Sequence, residues 1–476
     1  MNLIQQFPEI KILQDLARDN KRQVFLVGGF LRDFVLKRPV NDLDFAVDKG
    51  ALRLAELFAV RIKGKYILLD EEHNCARVAK KVKGALLTYD FADYRAGDYK
   101  ADLASRDFTI NTLSVDINRL KEDDELGAVI LDSKRGMKDI LGMRIKRTSI
   151  RALKDDPLRM MRAFSLKANL GFKIELETLN QIRKEKDLLR SVSYERIREE
   201  LFKVLESDQS ADILKSMDKV GLLELIIPQV HVMFGCKQGG YHHLDVWPHS
   251  LEVVRQLDKI FRENRDPEID EYSRHVIGGG HSRRSVMKLA ALLHDIGKPD
   301  TRKKEGERIS FHGHEHVGRN IAKSVAKMLK LSTSERHVLE DMILWHLRPG
   351  YLSNYKKPSE RMVYRFLRDT GEEAAGVLLL SLADQRSTRG PLTTDADQKH
   401  HEAICTGLIK TFFEKKKELP YVPLLNGNDI MKKLKLESSP LIGKILVEVR
   451  EQHSLGKLKT REDALELARK MAEASG

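Results

Sequence analysis

The chain has 476 residues, of which 41% are hydrophobic and 33% charged, with a mean hydropathy of −0.40 and a formal net charge of +13. A single core is not expected at this length, about two to four domains are, and no apolar run approaches the roughly 20 residues that a membrane-spanning helix needs. The positive balance favours a polyanionic partner such as a nucleic acid.

The first residues, MNLIQQFPEIK, carry no charged segment followed by an apolar one, so a cytoplasmic protein is expected. Cys75, Cys236 and Cys405 lie too far apart for a metal or disulfide pattern. Residues 22–132 alternate short β-like runs with turns: QVFLVGG, LDFAV, KYILLD, CARVAK and ALLTYDF, then a helix-like INTLSVDI. This is an α/β head. In its first motif, VFLVGGFLRDFVLKRPVNDLDFAVD, an apolar run ends at Gly28 and Gly29. Paired glycines after a strand let backbone N–H groups approach a phosphate. Asp42 and Asp44 stand at i and i+2 of the next strand and so share a face. Two such carboxylates repel unless a cation sits between them. The combination points to a nucleoside triphosphate held with Mg²⁺ for phosphoryl or nucleotidyl transfer. Asp90, near the end of a later run, is a candidate third acid for two metals spaced about 3.5–4 Å apart. A turn residue is the plain alternative.

Further on, SRDFTINTLSVD offers Arg106 for a phosphate, Asp107 beside it, and Asn111 for a ribose hydroxyl. In KDDPLRMMRAF, Pro157 marks a helix start, which makes Asp156 and Arg159 neighbours three residues apart, with Arg162 extending the face. A carboxylate and a guanidinium so placed can read the edge of C or A and repel the carbonyl of U or G. An ordinary helical ion pair is the alternative. From about residue 150 to 228 the pattern is helical.

Residues 245–400 are histidine-rich and helical, apart from a polar stretch, ENRDPEIDEYSRHVIGGGHSRR, that reads as an exposed loop. His249 opens one apolar helix. His294 and Asp295 close another in KLAALLHDIGKPDT. His314, His346 and Asp384 follow. Nitrogen and oxygen ligands at helix edges suit a divalent metal that activates water for phosphoester hydrolysis. A weakly active scaffold is the alternative. His242, His243, His400 and His401 carry no comparable pattern.

In this order, LVGGFLRD…DLDF, SRDFTIN, DDPLRMMRAF and SVSYERIREEL resemble the motifs of the class II tRNA nucleotidyltransferase and bacterial poly(A) polymerase family over residues 22–230. HDIGKP with its upstream His and downstream Asp resembles the HD phosphohydrolase superfamily over about 245–400. The resemblance implies an α+β protein: a nucleotidyltransferase palm of mixed sheet and helices, then an all-helical neck and body, a helical HD domain and a helical tail. The expected boundaries are 1–145 for the head, 146–235 for the neck and body, 240–405 for the HD domain and 406–476 for the tail.

The implied activity is template-independent addition of C and/or A to a tRNA 3′ end from CTP and ATP, with release of pyrophosphate. The implied roles are Mg²⁺ on Asp42 and Asp44, triphosphate contact at Gly28, Gly29 and Arg32, nucleotide contact at Arg106 and Asp107, and base reading by Asp156 and Arg159. His249, His294, Asp295 and Asp384 are the expected HD metal ligands, for Mg²⁺ or a transition metal, with His314 and His346 as candidates for a second ion.

Two departures stand out. Asp155 occupies a position where the family often has Glu, and the segment between Asp90 and Arg106 is shorter than the flexible loop of many CCA-adding members, like that of members adding only CC. KYILLDEEHNCARV resembles the tRNA-directed branch more than the polymerases. The readings left open are a CC-only or A-only enzyme, a poly(A) polymerase, and an HD nucleotide phosphohydrolase with a nucleotide-binding head.

Overall fold

The computed structural model describes residues 2–82, 84–240, 242–306, 308–418 and 422–474. Residues Met1–Val204 with Ser216–Leu225 form one unit, and Leu205–Lys215 with Ile226–Gly476 a second. Among the described residues, no helix is long and apolar enough to cross a membrane.

The first unit is built on a six-stranded sheet in the order β3-β4-β5-β2-β1-β6. Its strands are β1 (Val24–Val27), β2 (Asp42–Val47), β3 (Lys65–Asp70), β4 (Cys75–Val82), β5 (Ala85–Asp93) and β6 (Ser114–Asp116). β2 pairs parallel with β5, and the other neighbours pair antiparallel. This is the expected mixed sheet. All four residues of β1 are buried, as an interior strand requires.

Helix α1 (Gly29–Val35) follows β1 directly, and helix α2 (Ala51–Ile62) buries Leu54, Ala55, Phe58, Ala59 and Ile62 at helical spacing. The Phe58 ring meets Tyr89 and Phe91 of β5 edge-on, with centroids 5.2 and 5.4 Å away. Because side chains alternate along a strand, Asp90, between those two aromatics, lies on the opposite face of the sheet.

The helix expected over INTLSVDI is not formed. A single 3₁₀ turn, Thr109–Asn111, is followed by β6, whose residues Ser114–Asp116 pair with β1. The free edge of β1 outweighs the local apolar spacing there. Helix α3 (Tyr99–Ser105) precedes that turn, and helices α4 (Arg159–Leu170) and α5 (Tyr194–Glu206) come later.

The second unit is dominated by helices. Helices α6 (Val246–Glu263) and α7 (Arg283–Leu293) carry the first histidines, α8 (His314–Met328) and α9 (Thr333–Trp345) the later ones, and α10 (Ala374–Ser387) carries Asp384. α10 is buried on all sides from Ala374 to Ala383, as its unbroken run AAGVLLLSLA requires of a central helix. In the tail, Ile442, Ile445 and Val449 pack with Leu425, Ile430, Ala464 and Ala468 into a small apolar core.

The polar stretch expected to be an exposed loop is structured instead. Pro267–Arg274 is a helix, and Tyr272, His281 and Arg283 are buried. His281 Nδ1 lies 2.6 Å from Glu335, and Arg283 pairs with Glu373 while stacking over Tyr272. Polar residues are buried there because each finds an acidic partner, Glu335 or Glu373.

Gly297, in the turn after His294 and Asp295, lies against α8. A Cβ at this position would collide with the His314 carbonyl and approach Gly318 N to 2.6 Å. Gly297→Ala should therefore destabilise the second unit by about 1–3 kcal/mol through overpacking, seen as a lower urea midpoint at unchanged m-value. An unchanged midpoint would show that α8 yields freely.

Candidate active site and histidine cluster

The centre of the head lies where β1 ends. Gly28 has φ +83°, a conformation that L side chains rarely adopt, and a Cβ on it would come within 2.7 Å of Asp44 Oδ2. Two constraints at one position explain the glycine. In the strand register Asp44 faces Val27 of β1 on one side and Asp90 of β5 on the other, while Asp42 faces Thr88. The Thr88 hydroxyl donates to Asp42. Asp42, Asp44 and Asp90 thus share one face of the sheet.

Burial, and then the charge of Asp90, push the Asp44 carboxyl up to about 6, although Arg106 and Arg162 act in the opposite direction. A carboxylate destabilised in this way, beside two others, is a donor set that suits a divalent cation. Asp90 itself is gripped by Arg77 of β4, whose Nε and Nη2 each donate over 2.7 Å. Arg77, not singled out from the sequence, thus competes for the proposed third ligand.

The arginines and amides of the head form a chain of contacts. Arg32 is buried; it donates to Asn111 Oδ1 over 2.7 Å and to both oxygens of Asp33. Its Nη2 would lie 3.2 Å from a Cβ on Gly29, so it lines the glycine turn. Asn111 donates to Asp107 over 3.0 Å, and Arg162 Nε lies 2.7 Å from the other Asp107 oxygen. Burial opposes the Asp107 charge, but Arg162, Asn111 and the Phe108 N–H outweigh it and hold the carboxyl below its usual range. Arg106 pairs with the buried Asp102 at 3.1 Å.

The expected pairing of Asp156 with Arg159 on one helical face is not what forms. Asp156 has extended backbone angles, φ −144° and ψ 99°, and lies before α4. Its carboxylate accepts from Arg196 of α5 over 3.2 and 3.3 Å, whereas Arg159 is buried and donates to the Ala152 carbonyl over 3.0 Å. The local reason is Pro157, which disfavours helical angles at the preceding residue. Arg196 lies in the quoted SVSYERIREEL motif, the signal through which it could have been found.

In the second unit two triplets of ligand atoms gather within 4.8 Å: His249, His294 and Asp384, and Asp295, His314 and His346. Asp295 joins them, with Oδ2 3.1 Å from His294 Nε2 and Oδ1 3.3 Å from His314 Nε2. His249 Nε2 lies 2.9 Å from Asp384. His294, His314 and His346 each use Nδ1 on the carbonyl three residues back, of Ala291, Phe311 and Ile343, over 2.7–2.9 Å. That bond fixes the proton on Nδ1 and turns the Nε2 lone pair toward the cluster, the usual support of a metal-binding histidine. The buried His294 Nε2 has no hydrogen-bond partner. These residues therefore fit a pair of metal ions.

Burial pushes His346 down to about 3. Burial opposes the Asp295 charge too, yet His294 and Lys298 hold that carboxyl well below its usual range. Lys298 Nζ sits 2.6 Å from Asp295 Oδ2. His242, without a pattern in the sequence, packs edge-on against His249 with ring centroids 4.7 Å apart. A cavity of about 360 Å³ lies beside the second triplet and is lined by Gly239, His242, Lys298, Phe311, His314 and Tyr351 among others.

Comparison with known proteins agrees with this division. Residues 24–146 match the poly A polymerase head domain, 171–234 the probable RNA and SrmB-binding site of polymerase A, and 246–389 the HD domain. The chain is 28% identical over 456 residues to an A-adding tRNA nucleotidyltransferase of Deinococcus radiodurans, covering 94% of this chain and 95% of that one. It is 34% identical to a CC-adding tRNA nucleotidyltransferase of Geobacter sulfurreducens over 61% and 64% of the two chains. It is 30% identical to a multifunctional CCA protein of Pseudomonas fluorescens over 65% and 70%. A solved CCA-adding enzyme with ATP superposes with a TM-score of 0.65 at 20% identity, over 98% of this chain and 93% of that one. The chain is a nucleotidyltransferase. It belongs to the class II tRNA nucleotidyltransferase and bacterial poly(A) polymerase family, with an appended HD domain.

The raised Asp44 carboxyl has a measurable consequence. Its proton is held more tightly in the folded chain than in the unfolded one, so ionising it costs stability as pH rises from about 4 to about 6. In chelator, Asp44→Asn should stabilise the head by about 2–3 kcal/mol above pH 6 and by nothing below about pH 4. A pH-independent difference in urea unfolding would contradict the raised Asp44 carboxyl.

Proposed function

We propose that this chain is a template-independent tRNA nucleotidyltransferase that adds C and/or A to the tRNA 3′ end from CTP and ATP and releases pyrophosphate. The observation that carries this is the shared face of Asp42, Asp44 and Asp90 at the Gly28 turn, in a head of this family. The tRNA 3′ hydroxyl attacks the α-phosphate, the new phosphodiester forms, and the bond to the β-phosphate breaks. A divalent cation, generally Mg²⁺ in this family, held by Asp42 and Asp44 would lower the pKa of that hydroxyl and offset the triphosphate charge.

The Gly28–Gly29 turn admits the triphosphate, and Arg106 contributes a guanidinium to it. Arg32 acts through Asn111, keeping it and Asp107 in place. Asp156 takes the amino group of C or A, a role supported by its orientation on Arg196. Arg159 and Arg162 supply positive charge beneath the base. Residues 1–145 make up the head, 146–235 the neck that carries the base template, 240–405 the HD domain and 406–476 a tail for the basic tRNA-holding surface.

The extent of addition rests on the segment from Asp90 to Arg106. After β5 it forms one short turn and then α3, whose Tyr99 ring stacks on Phe25 at 3.7 Å. A segment anchored in this way does not swing to resize the base pocket, which favours CC addition. The two joined triplets favour a second activity, metal-dependent hydrolysis of a phosphoester in the HD domain, with His249, His294, Asp384 and Asp295, His314, His346 holding Mg²⁺ or a transition metal.

The test is incorporation of labelled CTP and ATP into tRNA lacking CCA or ending in C or CC. We expect addition of two C residues and little A on the CC end. Long A tracts on unrelated RNA would instead identify a poly(A) polymerase. Asp42→Ala should lower incorporation by at least about 10³-fold while leaving metal-dependent hydrolysis of a generic phosphodiester unchanged. His294→Ala should do the reverse, and loss of both activities in either variant would contradict two independent sites.

A further inference from the structure

Asp102 is almost entirely buried, with a side chain only 2% exposed, yet it takes no part in the chemistry described above. A buried carboxylate is costly unless its partners are well placed, and a leucine would fill the same space without that cost. Its partners come from both ends of one segment. Oδ1 accepts from the Arg95 N–H over 3.0 Å, where the chain leaves β5. Oδ2 accepts from Arg106 Nε and Nη2 over 3.2 and 3.1 Å, where the chain leaves α3.

The rest of the segment is pinned around it. Tyr94 N donates to Val47 O over 2.8 Å, Asp98 caps α3, Tyr99 stacks on Phe25, and Leu103 is buried beside Phe25, Val27 and Ala46. Both Arg106 donors go to one oxygen, which sets the plane of the guanidinium and leaves Nη1 for another acceptor. The Arg106 charge is felt at Asp44.

We propose that Asp102 is a positioning residue for nucleotide capture: it closes the segment from Arg95 to Arg106 and aims the Arg106 guanidinium at the incoming triphosphate. This rests on the reading of the head as a CTP and ATP site. Asp102→Asn keeps an acceptor for the Arg95 N–H but removes the charge that holds Arg106. It should raise the KM for CTP about tenfold and change kcat by less than about threefold.

Asp102 acts through Arg106, so in an Arg106→Ala background the same substitution should change KM by less than about twofold. An equal KM rise in both backgrounds, or a wild-type KM in Asp102→Asn, would overturn the proposal. Should Asp102→Asn melt early, Asp102→Glu keeps the charge but moves it by one methylene. It should raise KM at a near-wild-type melting temperature, and an unchanged KM there also overturns the proposal. A wild-type protein that incorporates neither CTP nor ATP into any tRNA end overturns the reading of the head, a separate outcome from additivity in the cycle.

Discussion

The crowding of like charge on β2 and β5 is the constraint around which the head is arranged. Two unit charges about 4 Å apart repel by about 4 kcal/mol in the dielectric typical of a protein surface, a large share of the net stability of a domain. Strand pairing forces that proximity: Asp44 cannot leave Asp90 without breaking the parallel register of β2 and β5, nor leave Gly28 without breaking its pairing with β1. The head answers with cations of its own. Arg77 takes Asp90, and Arg106 and Arg162 bear on Asp44. Burial, and then the charge of Asp90, still lift the Asp44 carboxyl to about 6. The fold therefore holds a deficit of positive charge at one place, and a divalent cation is a ligand whose binding relieves it.

The HD cluster meets a similar problem with different chemistry. Two carboxylates, Asp295 and Asp384, share that cluster with four imidazoles, which supply the other donor atoms. The cost of burial falls on the histidines, as the depressed His346 shows. It is limited for His294 and His346 by main-chain carbonyls that fix the Nδ1 proton three residues back along a helix. Lys298 shields Asp295 from the side of the cavity. A site that is preorganised by backbone geometry needs fewer surrounding charges than one made from three adjacent carboxylates.

What was legible in the sequence follows the range of the interactions. Asp42 and Asp44 share a face because a strand repeats every two residues, and His294 with Asp295 end a helix because HDIGKP supplies the stop; both signals are local. That Asp90 stands opposite Asp44 depends on a parallel pairing across 46 positions, which periodicity does not encode. Arg77, Arg196 and His242 were missed for the same reason: each is defined by a partner on another element. The INTLSVDI segment was misread because sheet pairing overrode an apolar spacing. The stretch around Tyr272, His281 and Arg283 was misread because polarity was equated with exposure. Those side chains are polar and buried, each opposite an acid that lies 54 to 101 residues further along the chain.

Base choice under the proposed function follows from where the template residues are held. Arg159 is committed to the Ala152 carbonyl and Arg162 to Asp107, so neither swings freely toward a base. The discriminating group is then the Asp156 carboxylate, outside the helix and oriented by Arg196. It rewards the amino group that C and A share and repels the carbonyl of U and G. The step from a pyrimidine to a purine is a matter of size rather than of donors and acceptors. It requires some part of the pocket wall to move. The two ends of the segment beside Arg106 are tied to one buried carboxylate. Under this reading, the amino edge is read by Asp156, and Asp102 holds the segment and Arg106, whose charge also bears on Asp44.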